Sequence, residues 1–256
     1  MHREKILELR PQVEEVLGME LKKRERFTPF ETIPTREEEL RTFLASRIDH
    51  VLLKPFAQRK DLEMVCQEAR TWKFCSVIVN PYYVALCNKL LEGSGVLTGV
   101  AIGFPLGQTK PEVKAREARL AFQEGAREAD MVVNIGALKD RDWKLVYADI
   151  KGVVEEMSPA PVKVVLETGY LTEEEKIVGC LIAQAAGAHF VKTATGFGPS
   201  GATVEDVALL REVVGSSLGV KAAGGIHSRE VALRMITAGA NRLGTSNGVA
   251  IVRGEV

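Results

Sequence analysis

Two lysines stand where the surrounding residues would deny them water. FVKT (190–193) and GVKA (219–222) are short runs of apolar and small residues, each holding a single lysine, Lys192 and Lys221. Strands of a parallel sheet are covered on both faces, and a charged lysine inside one loses its hydration. Two lysines facing one pocket also repel each other. Both effects push an ammonium toward the neutral amine, and a neutral amine attacks carbonyl carbon. The competing reading is that each side chain runs past its strand end and delivers its charge to solvent. Equivalent placement in successive runs, each followed by a glycine-rich segment, argues for the shared pocket.

An acid is available on an earlier segment. EADMVVN (128–134) sets Asp130 among apolar neighbours, with Val132 and Asn134 on its face by the two-residue period of a strand. Asp130 could pair with a lysine and handle protons, or form a buried salt bridge that only braces the fold. Asp49, in RIDHVLLKP, fits a pocket acid or a cap near a barrel floor equally well. Glu167, after VVL, fits a partner for a lysine or a loop hydrogen bond. TATGFGPSGAT (193–203) and AAGGIHS (222–228) follow the two lysines, and LGTSNG (243–248) closes the last apolar run. Glycine lets backbone N–H groups approach an anion, and a helix start adds a positive dipole end. Gly196, Gly224, Gly225, Thr245 and Ser246 are therefore the expected phosphate-binding residues.

The elements that must position these groups alternate. Apolar runs at 48–53, 75–79, 96–102, 128–133, 162–167, 190–193, 219–222 and 241–244 read as strands. Amphipathic segments at 59–73, 111–126 and 172–186 are the clearest helices between them, with Pro111 and Thr172 at their starts. Gly93, Gly125, Gly187 and Gly239 stand where helices should stop. Apolar strands joined by helices imply a parallel sheet under a helical cover. Eight such units without a linker predict an α/β fold, a closed (β/α)8 TIM barrel over residues 46–256, preceded by a helical extension over 1–45 that serves as a cap or interface. An open doubly wound sheet would carry G-x-G-x-x-G after its first strand, and none follows Leu53.

Composition excludes other classes. The 34 Lys+Arg balance the 34 Asp+Glu, so no bulk basic surface for nucleic acid is expected. No run approaches the roughly 20 apolar residues of a membrane span. MHREKILELR lacks the apolar centre of a signal peptide, and a cytoplasmic protein without membrane or nucleic-acid partners is expected. Cys66, Cys75, Cys87 and Cys180 form no C-x-x-C pair and read as buried reduced thiols. His2, His50, His189 and His227 are scattered, so no metal and no other cofactor is expected.

The runs that carry these residues resemble the deoxyribose-phosphate aldolase family, class I aldolases built on a (β/α)8 barrel. IDHVLLKP, VIVNP, AIGFPLGQT, EADMVVNIGALK, VVLETGYL, FVKTATGFGPSGAT, GVKAAGGI and LGTSNGVAI occur in order from residue 48 to 251, about four-fifths of the chain. The resemblance implies that Lys192 forms a Schiff base with the substrate carbonyl and that Lys221 beside it depresses its pKa. It implies that Asp130 joins Lys221 in a proton relay through water, that Asp49 orders the pocket, and that Gly196, Gly224, Gly225 and the region of Ser246 hold the phosphate. The implied reaction is reversible cleavage of 2-deoxy-D-ribose 5-phosphate to D-glyceraldehyde 3-phosphate and acetaldehyde, in deoxyribonucleotide catabolism. The implied assembly is a homodimer or higher homo-oligomer. Three departures stand out. Val51 replaces a usual threonine, Ala194 replaces the serine of the familiar K-T-S-T, and no tyrosine-bearing tail follows Val256. The alternatives are a lysine aldolase for another phosphorylated sugar, a non-covalent sugar-phosphate isomerase and a non-catalytic binding barrel. Two costly inward lysines argue against the last.

Overall fold

The structure, a computed structural model, describes residues 2–255. Eight parallel strands close a barrel in sequence order: β1 (Ile48–Leu52), β2 (Ser76–Val79), β3 (Leu97–Ile102), β4 (Glu128–Val132), β5 (Val162–Val165), β6 (Phe190–Lys192), β7 (Gly219–Ala223) and β8 (Arg242–Thr245). The ring closes where Ile48, Asp49 and His50 pair with Leu243, Gly244 and Thr245, so the barrel has no open edge. Two helices precede it, α1 (His2–Leu17) and α2 (Glu37–Ala45). The connections carry α3 (Arg59–Trp72), α4 (Val84–Leu91), α5 (Pro111–Gln123), α6 (Ile135–Lys139), α7 (Trp143–Met157), α8 (Glu173–Ala185), α9 (Val204–Val214) and α10 (Arg229–Thr237), and α11 (Gly248–Arg253) follows the last strand.

Local chemistry explains the boundaries. Thr172 caps α8 through a reciprocal box: its hydroxyl accepts from the Glu175 N–H at 3.3 Å, and the Glu175 carboxylate accepts from the Thr172 N–H at 2.8 Å. Pro111 opens α5, where its missing N–H costs no helical bond. Six of the strands are shorter than the apolar runs suggest; β6 ends at Lys192 and β1 at Leu52, although Leu53 and Thr193 stay buried beyond them. β7 extends one residue past its run, to Ala223, and β8 is shifted by one, to Arg242–Thr245. Cys75 precedes β2 instead of opening it and is partly exposed, whereas Cys66, Cys87 and Cys180 are buried free thiols.

Alternation along the strands divides the interior in two. Val77, Val100, Met131, Val164, Val191, Val220 and Leu243 join the inner faces of the helices in one apolar shell. One small apolar cluster in the barrel lumen is Leu53, Ile78 and Ala101 with Val51 and Phe104 against it. Buried Val132, Val165, Phe190 and Ala223 share the inward face, and between these apolar groups the lumen holds a charged layer.

The N-terminal segment closes the end of the barrel where the strands begin. α1 lies across α7, α8 and α9 and buries Leu9 and Val13. The Arg26 and Phe27 N–H groups donate to Ser216 O at 2.9 and 3.1 Å, and Asn241 Nδ2 donates to Thr28 O at 3.0 Å. These bonds set the Phe27 ring edge-on to Phe190, with centroids 4.8 Å apart. Phe190 lies across β7 at Gly219, where a Cβ would come within 2.2 Å of the ring.

A second buried device grips the other end. Lys114 on α5 donates to Asp149 Oδ2 on α7 at 2.6 Å and to Val132 O, the last residue of β4, at 2.9 Å. The Gly103 N–H, just past β3, donates to Glu117 Oε2 at 2.7 Å. Both lysine and aspartate are fully buried. Removing one member strands the other charge, so Lys114→Met should cost about 3–5 kcal/mol. Lys114→Met with Asp149→Leu should recover most of it, since no charge is then left unpaired. Urea midpoints at constant slope measure both.

Candidate active site

The two lysines share one oxygen. Lys192 Nζ donates to Asp130 Oδ2 at 2.8 Å, and Lys221 Nζ donates to the same atom at 2.7 Å. The lysines are register partners across β6 and β7, which sends both side chains into the lumen at one height. Neither reaches bulk solvent: Lys192 is 1% exposed and Lys221 0%. The route past the strand ends to water is therefore not taken.

The charges explain one another. Burial pushes the Lys192 amine below its ordinary value; Asp130 pulls it back, and the ammonium of Lys221 adds to the depression. Burial alone would raise Asp130, but Lys192, Lys221 and Lys163 outweigh it and hold the carboxyl well below the usual carboxylate range. Asp49 sits behind Lys221, its Oδ2 2.5 Å from the lysine Nζ, and its Oδ1 accepts from Arg242 Nη1 at 2.6 Å and Ser76 Oγ at 2.8 Å. Burial would raise Asp49 too; Arg242, Lys221 and Lys163 depress it. Lys163 Nζ completes the layer, 2.9 Å from Glu128 Oε1, 3.2 Å from Asp130 Oδ1 and 3.6 Å from Asp49 Oδ2. Arg242 Nη1 also donates to Glu128 Oε2 at 3.2 Å.

Glu128, Lys163, Arg242 and Ser76 were not among the residues singled out from the sequence. Lys163 and Ser76 carried a signal, since each is a lone polar residue among apolar ones, the same mark that singled out Lys192 and Lys221; Arg242, after Asn241, and Glu128, after Arg127, did not. Glu128 lies one two-residue period before Asp130, and so faces the same lumen. Among the described residues no cluster is arranged to hold a metal ion, and each of these carboxylates meets a cation instead.

Lys192 opens into a cleft of about 510 Å³ at the C-terminal ends of the strands. Val51 and Leu53 line it together with Thr195, Gly196 and Phe197 after β6, Gly224 and Gly225 after β7, and Thr245 and Ser246 at the end of β8. Asp49, Asp130 and Lys221 do not line it; they are fully buried behind Lys192. The loops are locked together. A Cβ on Gly201 would stand 2.4 Å from Gly224 O, and the Ala202 N–H donates to that carbonyl at 3.0 Å. Thr245 donates its hydroxyl to Ile226 O at 2.7 Å and accepts from the Asn247 N–H at 2.9 Å, so that hydroxyl ties two loops. Ser246 is exposed. Glu167 makes loop hydrogen bonds and no lysine contact: its carboxylate accepts from the Thr195 N–H at 3.1 Å and from the Thr195 hydroxyl.

A (β/α)8 barrel with a depressed lysine at its C-terminal mouth, backed by a second lysine and a carboxylate, is a barrel enzyme equipped for amine chemistry on a carbonyl compound. The sequence profile described as DeoC/LacD family aldolase matches residues 43–255. A deoxyribose-phosphate aldolase of Thermotoga petrophila is 50% identical over 225 residues, 88% of this chain and 91% of that protein. One of Thermococcus gammatolerans is 56% identical over 215 residues, 82% of this chain and 96% of the relative. The structure also superposes on a tetrameric deoxyribose phosphate aldolase from Aeropyrum pernix with a TM-score of 0.79 and 33% identity, covering 86% of this chain and 92% of that one. The chain belongs to the DeoC/LacD family of aldolases.

The geometry makes Lys221 a determinant of the Lys192 charge. In Lys221→Leu the half-point for protonation of Lys192 should rise, because a repelling ammonium is removed. The neutral amine then persists only at higher pH, and the acidic limb of the rate–pH profile moves upward. An unchanged limb would refute this role.

Proposed function

We propose that this aldolase is a class I deoxyribose-phosphate aldolase that reversibly cleaves 2-deoxy-D-ribose 5-phosphate to D-glyceraldehyde 3-phosphate and acetaldehyde. One observation carries the reading. Lys192 and Lys221 share Asp130 Oδ2, and of these three groups Lys192 alone lines the cleft. The printed names of the Thermotoga and Thermococcus relatives support the substrate.

In this reading the Lys192 amine adds to the C1 aldehyde of the open-chain sugar. Loss of water gives an iminium ion that draws electrons from the C2–C3 bond. The C3 hydroxyl gives up its proton through a water held by Asp130 and Lys221, the C2–C3 bond breaks, and D-glyceraldehyde 3-phosphate leaves. The enamine that remains on Lys192 is protonated at C2 and hydrolysed to acetaldehyde, which restores the amine. Backbone N–H groups around Gly196, Gly224, Gly225 and Ser246 hold the phosphate and so place C1 against Lys192. Val51 presents an apolar wall, so any sugar hydroxyl contact in this pocket comes from another residue. Asp49 orders Lys221 from behind. The same reading makes the protein cytoplasmic and places it in deoxyribonucleotide catabolism. It also makes the protein a homodimer or larger homo-oligomer, supported by the tetrameric Aeropyrum relative.

Purified protein given 2-deoxyribose 5-phosphate in metal chelator should release glyceraldehyde 3-phosphate. Lys192→Arg keeps the charge without an imine-forming amine and should lose at least about a thousandfold in kcat. Asp130→Asn should lower kcat by about 10²–10⁴ while changing phosphate affinity little. Weaker binding at unchanged kcat would refute the proton-handling role, and no product from the wild type would refute the substrate.

A further inference from the structure

Six strands bring seven ionisable side chains into one connected cluster behind the cleft. Asp49, Glu128 and Asp130 offer three negative charges; Lys163, Lys192, Lys221 and Arg242 offer four positive ones. With every group ionised the lumen holds one positive charge too many. Solvent meets the cluster only at its Arg242 edge, where the side chain is 14% exposed; no other member is more than 1% exposed, so the excess charge must be settled mainly among the buried groups. Loss of a single proton balances the cluster. Lys163 faces three carboxylates, Lys221 and Arg242 two each, and Lys192 only Asp130. A guanidinium does not give up its proton in proteins.

We propose that Arg242, at the floor of the barrel, is a positioning residue of the catalytic centre: its fixed charge occupies Asp49 and Glu128 and leaves Lys192 the one cation the cluster cannot neutralise. The proposal rests on the reading of Lys192 as the amine nucleophile, and extends it to a residue that touches neither substrate nor Lys192. The floor keeps the effect strong. The Phe190 ring lies 5.4 Å from the guanidinium and Phe27 covers Phe190, so the charge is only partly screened by water. The N-terminal segment thus shields the residue that sets the chemistry at the opposite end.

The other groups around these two are accounted for. Lys192 faces Asp130 on β4, Lys163 on β5 and Lys221 on β7. Arg242 faces Asp49 on β1 and Glu128 on β4, with Lys163 and Cys75 nearby. Burial pushes the Cys75 thiol up to about 11, so it adds no charge near neutrality. Arg47 feels Arg242 and is paired with Glu31. Glu167 at the mouth is engaged by Thr195.

Arg242 stands two strands from Lys192, about 10 Å at the usual strand spacing. At an effective dielectric of about 20, deleting its charge shifts the Lys192 half-point by about one pH unit. The test is the pH dependence of reductive methylation of Lys192 by formaldehyde and cyanoborohydride, read by peptide mass spectrometry, beside the rate–pH profile. Arg242→Met should raise the half-point by about one unit, and Arg242→Lys should hold it near the wild type. Glu128→Gln, which enlarges the positive excess, should lower it. The double variant Arg242→Met with Glu128→Gln should return to the wild-type value. A half-point unmoved in folded Arg242→Met would overturn the proposal. If that variant does not fold, Glu128→Gln decides: no downward shift overturns it. Methylation that shifts as described in a protein that cleaves no sugar phosphate would refute the substrate assignment and leave the role of Arg242 standing.

Discussion

Placing charge inside a closed barrel is the constraint from which the rest of this structure follows. Asp49, Glu128, Asp130, Lys163 and Lys221 are fully withdrawn from water, and Lys192 very nearly so. Each would be prohibitive alone, and a buried ion pair is tolerated only when its partners are held in good geometry. The strands hold them. Inward positions on β1, β4, β5, β6, β7 and β8 stack opposite charges within 2.5–3.6 Å, so the lumen is cross-linked by ion pairs where many barrels pack aliphatic layers.

The surroundings then divide the work of supporting that lumen. Outside the strands a continuous apolar shell supplies cohesion without using the inward positions. At the floor, Phe190 and Phe27 cover part of Arg242. At the mouth, buried Lys114 and Asp149 clamp the end of β4, and Glu117 holds the turn after β3. Three loops after β6, β7 and β8 are tied by Glu167, Thr195, Gly201, Gly224 and Thr245. The mouth is thus a rigid rim over a charged stack, and only Lys192 connects the two.

That arrangement suits an aldolase. In the proposed reaction the amine must be neutral to attack, yet it needs a charged proton carrier close by. A buried, charged lumen serves both demands: burial and the ammonium of Lys221 push Lys192 toward the neutral amine, while the surrounding lysines hold Asp130 below the usual carboxylate range. Family membership and the superposition on an aldolase structure show the aldolase family and its barrel.

Much of this was legible in the sequence. The alternation of apolar and amphipathic runs determined the barrel, because strand and helix periods are local properties of the chain. Lys192, Lys221 and Asp130 were legible as misfits in apolar strands. What tertiary structure alone decided is which misfits meet. Asp49 was ambiguous between pocket and floor; closure of β8 onto β1 put it between Lys221 and Arg242, behind the cleft. Glu167 was ambiguous between lysine partner and loop tie, and the loop after β6 settled it by bringing Thr195 to its carboxylate. Lys163 carries the same sequence mark as the two lysines, while Glu128 and Arg242 sit beside other polar residues, and the importance of all three depends on distances across the barrel. Those distances arise from strand register and closure, which join residues up to 193 positions apart and leave no trace in local spacing.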